Sequence, residues 1–191
     1  MKYDPPKHHR RSLRLKEYDY AQSGAYFVTL VAHNRQCIFG QFVNGDIALN
    51  EFGQIVSEEW TRSAAIRQEI ELDAFIVMPN HIHGIVIITN RSVGATGRSP
   101  LLAGPPKNSL GAFIGGFKSA ATKRINEIRS TPGLPIWQRN YYEHIIRYEE
   151  SLDRIREYVL TNPAGWEFDP ENPAATVRPN RTLVKGVSLW K

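Results

Sequence analysis

The stretch Ala74-Phe-Ile-Val-Met-Pro-Asn-His-Ile-His-Gly-Ile-Val-Ile-Ile88 decides the fold. Its two ends, Ala74 to Val77 and Ile85 to Ile88, are β-branched and aromatic, and both read as strands buried on at least one face. In a strand, residues i and i+2 point to the same side. His81 and His83 therefore project together from a rigid platform, a geometry that suits a divalent metal held by two imidazole nitrogens. A histidine pair on a sheet also fits a half-buried polar stripe satisfied by water or a carboxylate, so the choice rests on partners elsewhere in the chain.

Working outward, Tyr26-Phe-Val-Thr-Leu-Val31 reads as a strand after Ser23-Gly24, and Asn44-Gly45 marks a small hairpin between residues 37–42 and 47–49. From Glu51, Ile55, Trp60 and Ile66 alternate with charged residues in the pattern of an amphipathic helix. Residues 90–108 are rich in Gly, Ser and Pro and read as a long surface loop. Ser109 then reads as a helix cap, followed by Leu110, Ile114, Phe117, Ala121, Ile125 and Ile128 at helical spacing. Tyr141 to Ile146 alternates like a strand, and a last helix runs from about Glu149 to Thr161.

The order strand, helix, strand, strand, helix, strand, helix is the split β-α-β arrangement of ferredoxin-like domains with one extra C-terminal helix. The expected class is α+β: an antiparallel sheet with helices on one face, the other face free for a site or for nucleic acid. The chain divides into a basic arm (1–22), one domain (23–163) and a tail (164–191).

At 191 residues the chain suits one α+β core, and 41% hydrophobic with 23% charged residues is the balance of a globular protein. No apolar run approaches membrane-spanning length and the N-terminus has no signal-peptide pattern, which excludes membrane partners from the reading. The single cysteine, Cys37, rules out an internal disulfide framework or a thiolate cluster and points to a reducing cytoplasm. The net charge of +5 is concentrated at the start, with Lys2, Lys7, Arg10, Arg11, Arg14 and Lys16. That density favours a polyanion, with nucleic acid the leading partner. Arg10, Arg11 and Arg14 are candidates to reach phosphates, with Lys118, Arg139 and Arg147 beside them. Trp137, Tyr141 and Tyr142 are candidates to stack unpaired bases.

The last helix supplies partners for the histidines. Leu152, Ile155 and Val159 mark its buried stripe, while Arg154, Tyr158 and Asn162, spaced four apart, share a neighbouring polar face. Pro163 disfavours helical geometry at the residue before it, so Asn162 falls at the helix end.

Taken together, Tyr26-Phe-Val-Thr, Met78-Pro-Asn-His-Ile-His-Gly84, Trp137-Gln-Arg-Asn-Tyr-Tyr-Glu-His-Ile-Ile-Arg147 and Tyr158-x-x-x-Asn-Pro163 resemble the single-tyrosine HUH transposases, most closely their REP-associated branch. The basic stretch Lys7 to Lys16 joins the pattern, which spans residues 7 to 166. The resemblance implies an enzyme that cleaves and rejoins single-stranded DNA beside a hairpin. His81 and His83 match the two histidines of the motif, and Tyr158 matches the nucleophile. Asn162 matches the polar position that completes a Mg²⁺ or Mn²⁺ site. Attack by the phenolate would give a 5′-phosphotyrosine link and a free 3′-hydroxyl. The resemblance leaves open whether Tyr158 serves its own chain's metal site or that of a homodimer partner. Two other readings stand beside it. One is a non-catalytic binder of single-stranded or hairpin nucleic acid; the other is a metal-dependent phosphoesterase in which the histidines activate water.

Overall fold

The computed structural model describes residues 18–89 and 108–175. Strand β1 (Gly24–Val31) is followed by a two-stranded hairpin, β2 (Gly40–Val43) and β3 (Asp46–Leu49). Helix α1 (Glu51–Ala65), β4 (Ile70–Val77), β5 (His81–Ile88), α2 (Leu110–Arg129), β6 (Tyr142–Ile146) and α3 (Glu149–Thr161) complete the order. A 3₁₀ segment, Asn162–Phe168, continues directly from α3. β4, β5, β1 and β6 lie side by side in that order, every pairing antiparallel. This is the α+β, ferredoxin-like arrangement expected from the pattern. Among the described residues no helix is long and apolar enough to cross a membrane.

Local chemistry sets the boundaries. Asn50 caps α1 by accepting the Phe52 and Gly53 amides, both at 3.0 Å, and Ser109 caps α2 through Ala112 N–H at 3.2 Å. Ser130 closes α2 in the left-handed region. Asn44 and Gly45, with φ of 52° and 90°, make the tight hairpin turn that the Asn-Gly pair signals. Ile66 and Ile128, placed by spacing on the buried stripes, instead stand exposed at or near helix ends, beyond the reach of the sheet.

Alternate residues of the central strands serve opposite faces. Tyr26, Val28, Leu30, Ile82 and Val86 join Trp60 of α1 and Phe113 and Phe117 of α2 in the main core. Phe27 and Ile85 meet Leu152, Ile155 and Val159 of α3 in a smaller cluster. The face expected to stand free is therefore roofed by α3, because that helix carries an apolar stripe of its own and buries it there.

Trp137 is a correction to the sequence reading. It packs at 4.9 Å from Phe39 and 5.6 Å from Phe117 and belongs to the main core, so it is no platform for bases. The cause is the backbone around it. His33 N–H donates to Ile136 O, Gln138 N–H donates to Val31 O, and Trp137 bridges Ala32, which extends the end of β1 and turns the indole inward. Tyr141 and Tyr142 are half-buried, against the main and smaller clusters respectively.

Candidate active site

His81 and His83 lie on the sheet face that α3 covers, at 0% and 4% exposure. Asn80 orients the first. Its Nδ2 donates to the carbonyls of Arg35 at 3.1 Å and Glu171 at 2.6 Å, which leaves Oδ1 to accept from His81 Nδ1 at 2.8 Å. The Nε2 of a neutral His81 thus carries a lone pair. His83 Nδ1 meets the Thr29 hydroxyl at 2.9 Å, and its ring stacks on Phe27 at 5.4 Å. With both Nδ1 atoms engaged, the two Nε2 atoms face each other at 3.0 Å. Such outer partners fix ring orientation in metal sites.

Burial pushes the His81 imidazole down to about 3, and burial together with the neighbouring His81 holds His83 well below its ordinary range. Both are neutral at pH 7, the form in which imidazole ligates a metal.

The third group is Asp169, the residue that ends the 3₁₀ segment and returns toward the histidines. Its Oδ2 is 4.0 Å from His81 Nε2, and ligand atoms of His81, His83 and Asp169 all lie within 4.8 Å of one another. Burial pushes the Asp169 carboxyl up, while the Glu171 amide and the Asn162 side chain hold it down. With metal–ligand bonds of about 2.1 Å, neighbouring ligands of an octahedral ion stand roughly 3 Å apart and opposite ones roughly 4.2 Å. The separations of 3.0 and 4.0 Å fit that frame, and the residues present can hold a divalent cation.

Tyr158 completes the cluster from the same chain. Its hydroxyl is 3.4 Å from His83 Nε2, and its ring meets His83 at 5.2 Å and Phe27 at 6.0 Å. Burial, aided by the charge of Asp169, pushes its phenol up to about 12, against the pull of a hydrogen bond from Asn162. Asn162 is itself buried, and its carboxamide lies near both Tyr158 and Asp169, where it favours their charged forms. Its Oδ1 is buried without a partner, an acceptor left over at the edge of the cluster.

Of the residues read from sequence, the structure brings together His81, His83, Tyr158 and Asn162. Lys118 is elsewhere, on α2, where its ammonium donates to Gln138 O at 2.8 Å and Asn140 O at 3.1 Å, and burial pushes it down to about 8. Its donors are largely spent on the protein's own carbonyls. Arg139 and Arg147 are exposed, and Arg10, Arg11 and Arg14 lie outside the described residues. Asp169, Thr29 and Asn80 were missed by sequence reasoning. The last two stand inside the quoted motifs; Asp169 sits in an aperiodic stretch with no signal of its own.

A roofed antiparallel sheet that gathers two imidazoles, a carboxylate and a tyrosine defines a domain whose side chains could hold a divalent cation beside a tyrosine hydroxyl. The chain is 37% identical over 174 residues to an uncharacterized protein of Haemophilus influenzae, covering 88% of this chain and 96% of the relative, and it belongs to the same family. Its fold is that of a REP-associated tyrosine transposase solved bound to a REP hairpin, with TM-score 0.53 and 20% identity over 80% of this chain and 73% of the other. No protein-family model matches the sequence.

Proposed function

We propose that this protein is a transposase-type DNA endonuclease and strand-transferase that acts on single-stranded, hairpin-associated DNA through Tyr158. The observation that carries the reading is the 3.4 Å approach of the Tyr158 hydroxyl to the Nε2 of His83, within one chain and beside two further ligand groups. A phosphodiester repels nucleophiles by its charge, and a Mg²⁺ or Mn²⁺ ion held by His81, His83 and Asp169 would supply Lewis-acid polarisation of the phosphate. Asn162 serves the nucleophile, since its hydrogen bond favours the phenolate that burial opposes. Its free Oδ1 offers a further ligand atom.

The Tyr158 oxygen forms the new bond to phosphorus as the bond to the 3′-oxygen breaks. The phenol gives up its proton and the departing 3′-oxygen takes one up. A 5′-phosphotyrosine keeps the energy of the broken ester, so a second 3′-hydroxyl can reverse the step without ATP.

The test is incubation with labelled single-stranded hairpin DNA and Mn²⁺, followed by denaturing electrophoresis. The expected result is a protein–DNA adduct that Tyr158→Phe abolishes. Cleavage that survives Tyr158→Phe would instead make the histidines a water-activating phosphoesterase site. Binding without cleavage under any metal would leave a nucleic-acid-binding module.

A further inference from the structure

Helix α3 presents Tyr158 on a light attachment. Its start at Tyr148 has no side-chain cap, and it buries three residues, Leu152, Ile155 and Val159, where α1 and α2 bury seven each. Three apolar contacts along one line oppose lifting of the helix, but they resist rolling about its axis only weakly, because dispersion contacts have little directionality. Roll matters at this site. A tyrosine hydroxyl stands on the order of 9 Å from its helix axis, so a turn of about 10° moves it by roughly 1.5 Å.

A side-chain ion pair ties α3 to the sheet in a direction that can set that roll. Arg156, two residues before Tyr158, grips Asp73 of β4: Nε lies 3.0 and 3.1 Å from the two carboxylate oxygens, and Nη2 lies 2.7 Å from Oδ2. β4 is irregular at this point. Its register against β5 shifts between Leu72 and Phe75, and a bulge of this kind re-aims a side chain out of the regular alternation. Asp73 Oδ1 also accepts the Ala74 amide at 2.6 Å, which fixes the carboxylate on the strand. The other partners of Arg156, Asp153 at 2.9 Å and Glu149 at 3.7 Å, belong to α3 and cannot orient it against the sheet. With Arg156 at 36% exposure the pair adds little stability, and what a two-pronged guanidinium–carboxylate contact adds is geometry.

We propose that Asp73 and Arg156 are positioning residues, a fork between the β4 bulge and α3 that sets where the Tyr158 hydroxyl stands relative to His83. The inference rests on the reading of Tyr158 as nucleophile.

Asp73→Asn, Arg156→Gln, Arg156→Lys and Asp153→Asn separate the possibilities. For each, the single-turnover rate of adduct formation on labelled hairpin DNA with Mn²⁺ is measured beside gel-shift affinity and thermal midpoint. The ¹⁹F resonance of 3-fluorotyrosine placed at position 158 is recorded in parallel. Asp73→Asn and Arg156→Gln are expected to slow adduct formation by about 10- to 100-fold while affinity stays within about twofold. They should also move the fluorine resonance. Arg156→Lys should recover part of the rate, and Asp153→Asn should match the wild type in every measurement. Unchanged rate and resonance in Asp73→Asn and Arg156→Gln would overturn the fork, as would rate, affinity and midpoint falling together. If the wild type forms no adduct, the nucleophile reading fails and the fluorine resonance alone decides whether the fork sets the ring.

Discussion

The two faces of the four-stranded sheet are made from alternate residues of the same strands, yet they hold different chemistry. On the α1–α2 side, Trp60 stacks flat on Phe75 at 4.9 Å and takes the edges of Phe113 at 5.2 Å and Phe117 at 5.1 Å. On the α3 side, Thr29, His81 and His83 meet Tyr158, Asn162 and Asp169 beside the smaller apolar cluster of Phe27, Ile85, Leu152, Ile155 and Val159. An aromatic cluster gains from every atom it hides, whereas buried polar groups at best recover the hydration they lose. The first face therefore carries most of the stability, and the second holds the polar groups of the proposed site.

The largest expected effect is on the polar side. His81→Ala or His83→Ala should lower adduct formation roughly 10³-fold or to background, while hairpin affinity, expected to come from basic residues, should stay within about twofold. Gel shifts that weaken as steeply as cleavage would erase the division between faces. The converse variant is Trp60→Ala, which should cost about 3–5 kcal/mol in denaturant unfolding. A loss below about 1 kcal/mol would mean that the aromatic face does not hold the domain.

Acid should expose the polar side as well. The His81 imidazole falls from 6.5 in the unfolded chain to about 3 in the folded one, so below 6.5 the unfolded state binds the extra proton. Stability is then full above pH 6.5 and declines as pH drops toward 3. Thermal midpoints across that range should slope less in His81→Gln than in the wild type; parallel slopes would refute the assignment. The smallest effect is expected at Thr29. Thr29→Val removes the hydroxyl on His83 Nδ1 and should weaken Mn²⁺ binding about tenfold in calorimetric titration, with Thr29→Ser close to wild type.

Much of this was legible in the chain because periodicity reports burial. The helix from Glu149 to Thr161, the Ser109 cap and the Asn-Gly turn stand where local chemistry puts them. The start of β4 was not legible. Its alternation breaks at Asp73-Ala74, and that break is the register shift itself, so the strand reads as beginning at Ala74 when it begins at Ile70. Composition also cannot tell an aromatic that stacks on a ligand from one that fills a core, and Trp137 is the case in point. In the site, strand and helix repeats put the two histidines on one face and Tyr158 with Asn162 on another, and the resemblance to the transposases singled out Tyr158. Asp169 was not visible, since an aperiodic segment gives no direction to its side chains and only the folded path returns it to His81.

Gly84 follows directly after the second histidine, and a Cβ there would stand 2.6 Å from the Trp60 ring. The glycine belongs to the packing face while its neighbour belongs to the chemical one. A mutational scan scored by DNA cleavage would record Gly84→Ala as a lesion of the histidine motif, although the damage would enter from the opposite side of the sheet. At this glycine the two faces are coupled, because the position beside the second histidine must stay without a side chain to admit Trp60.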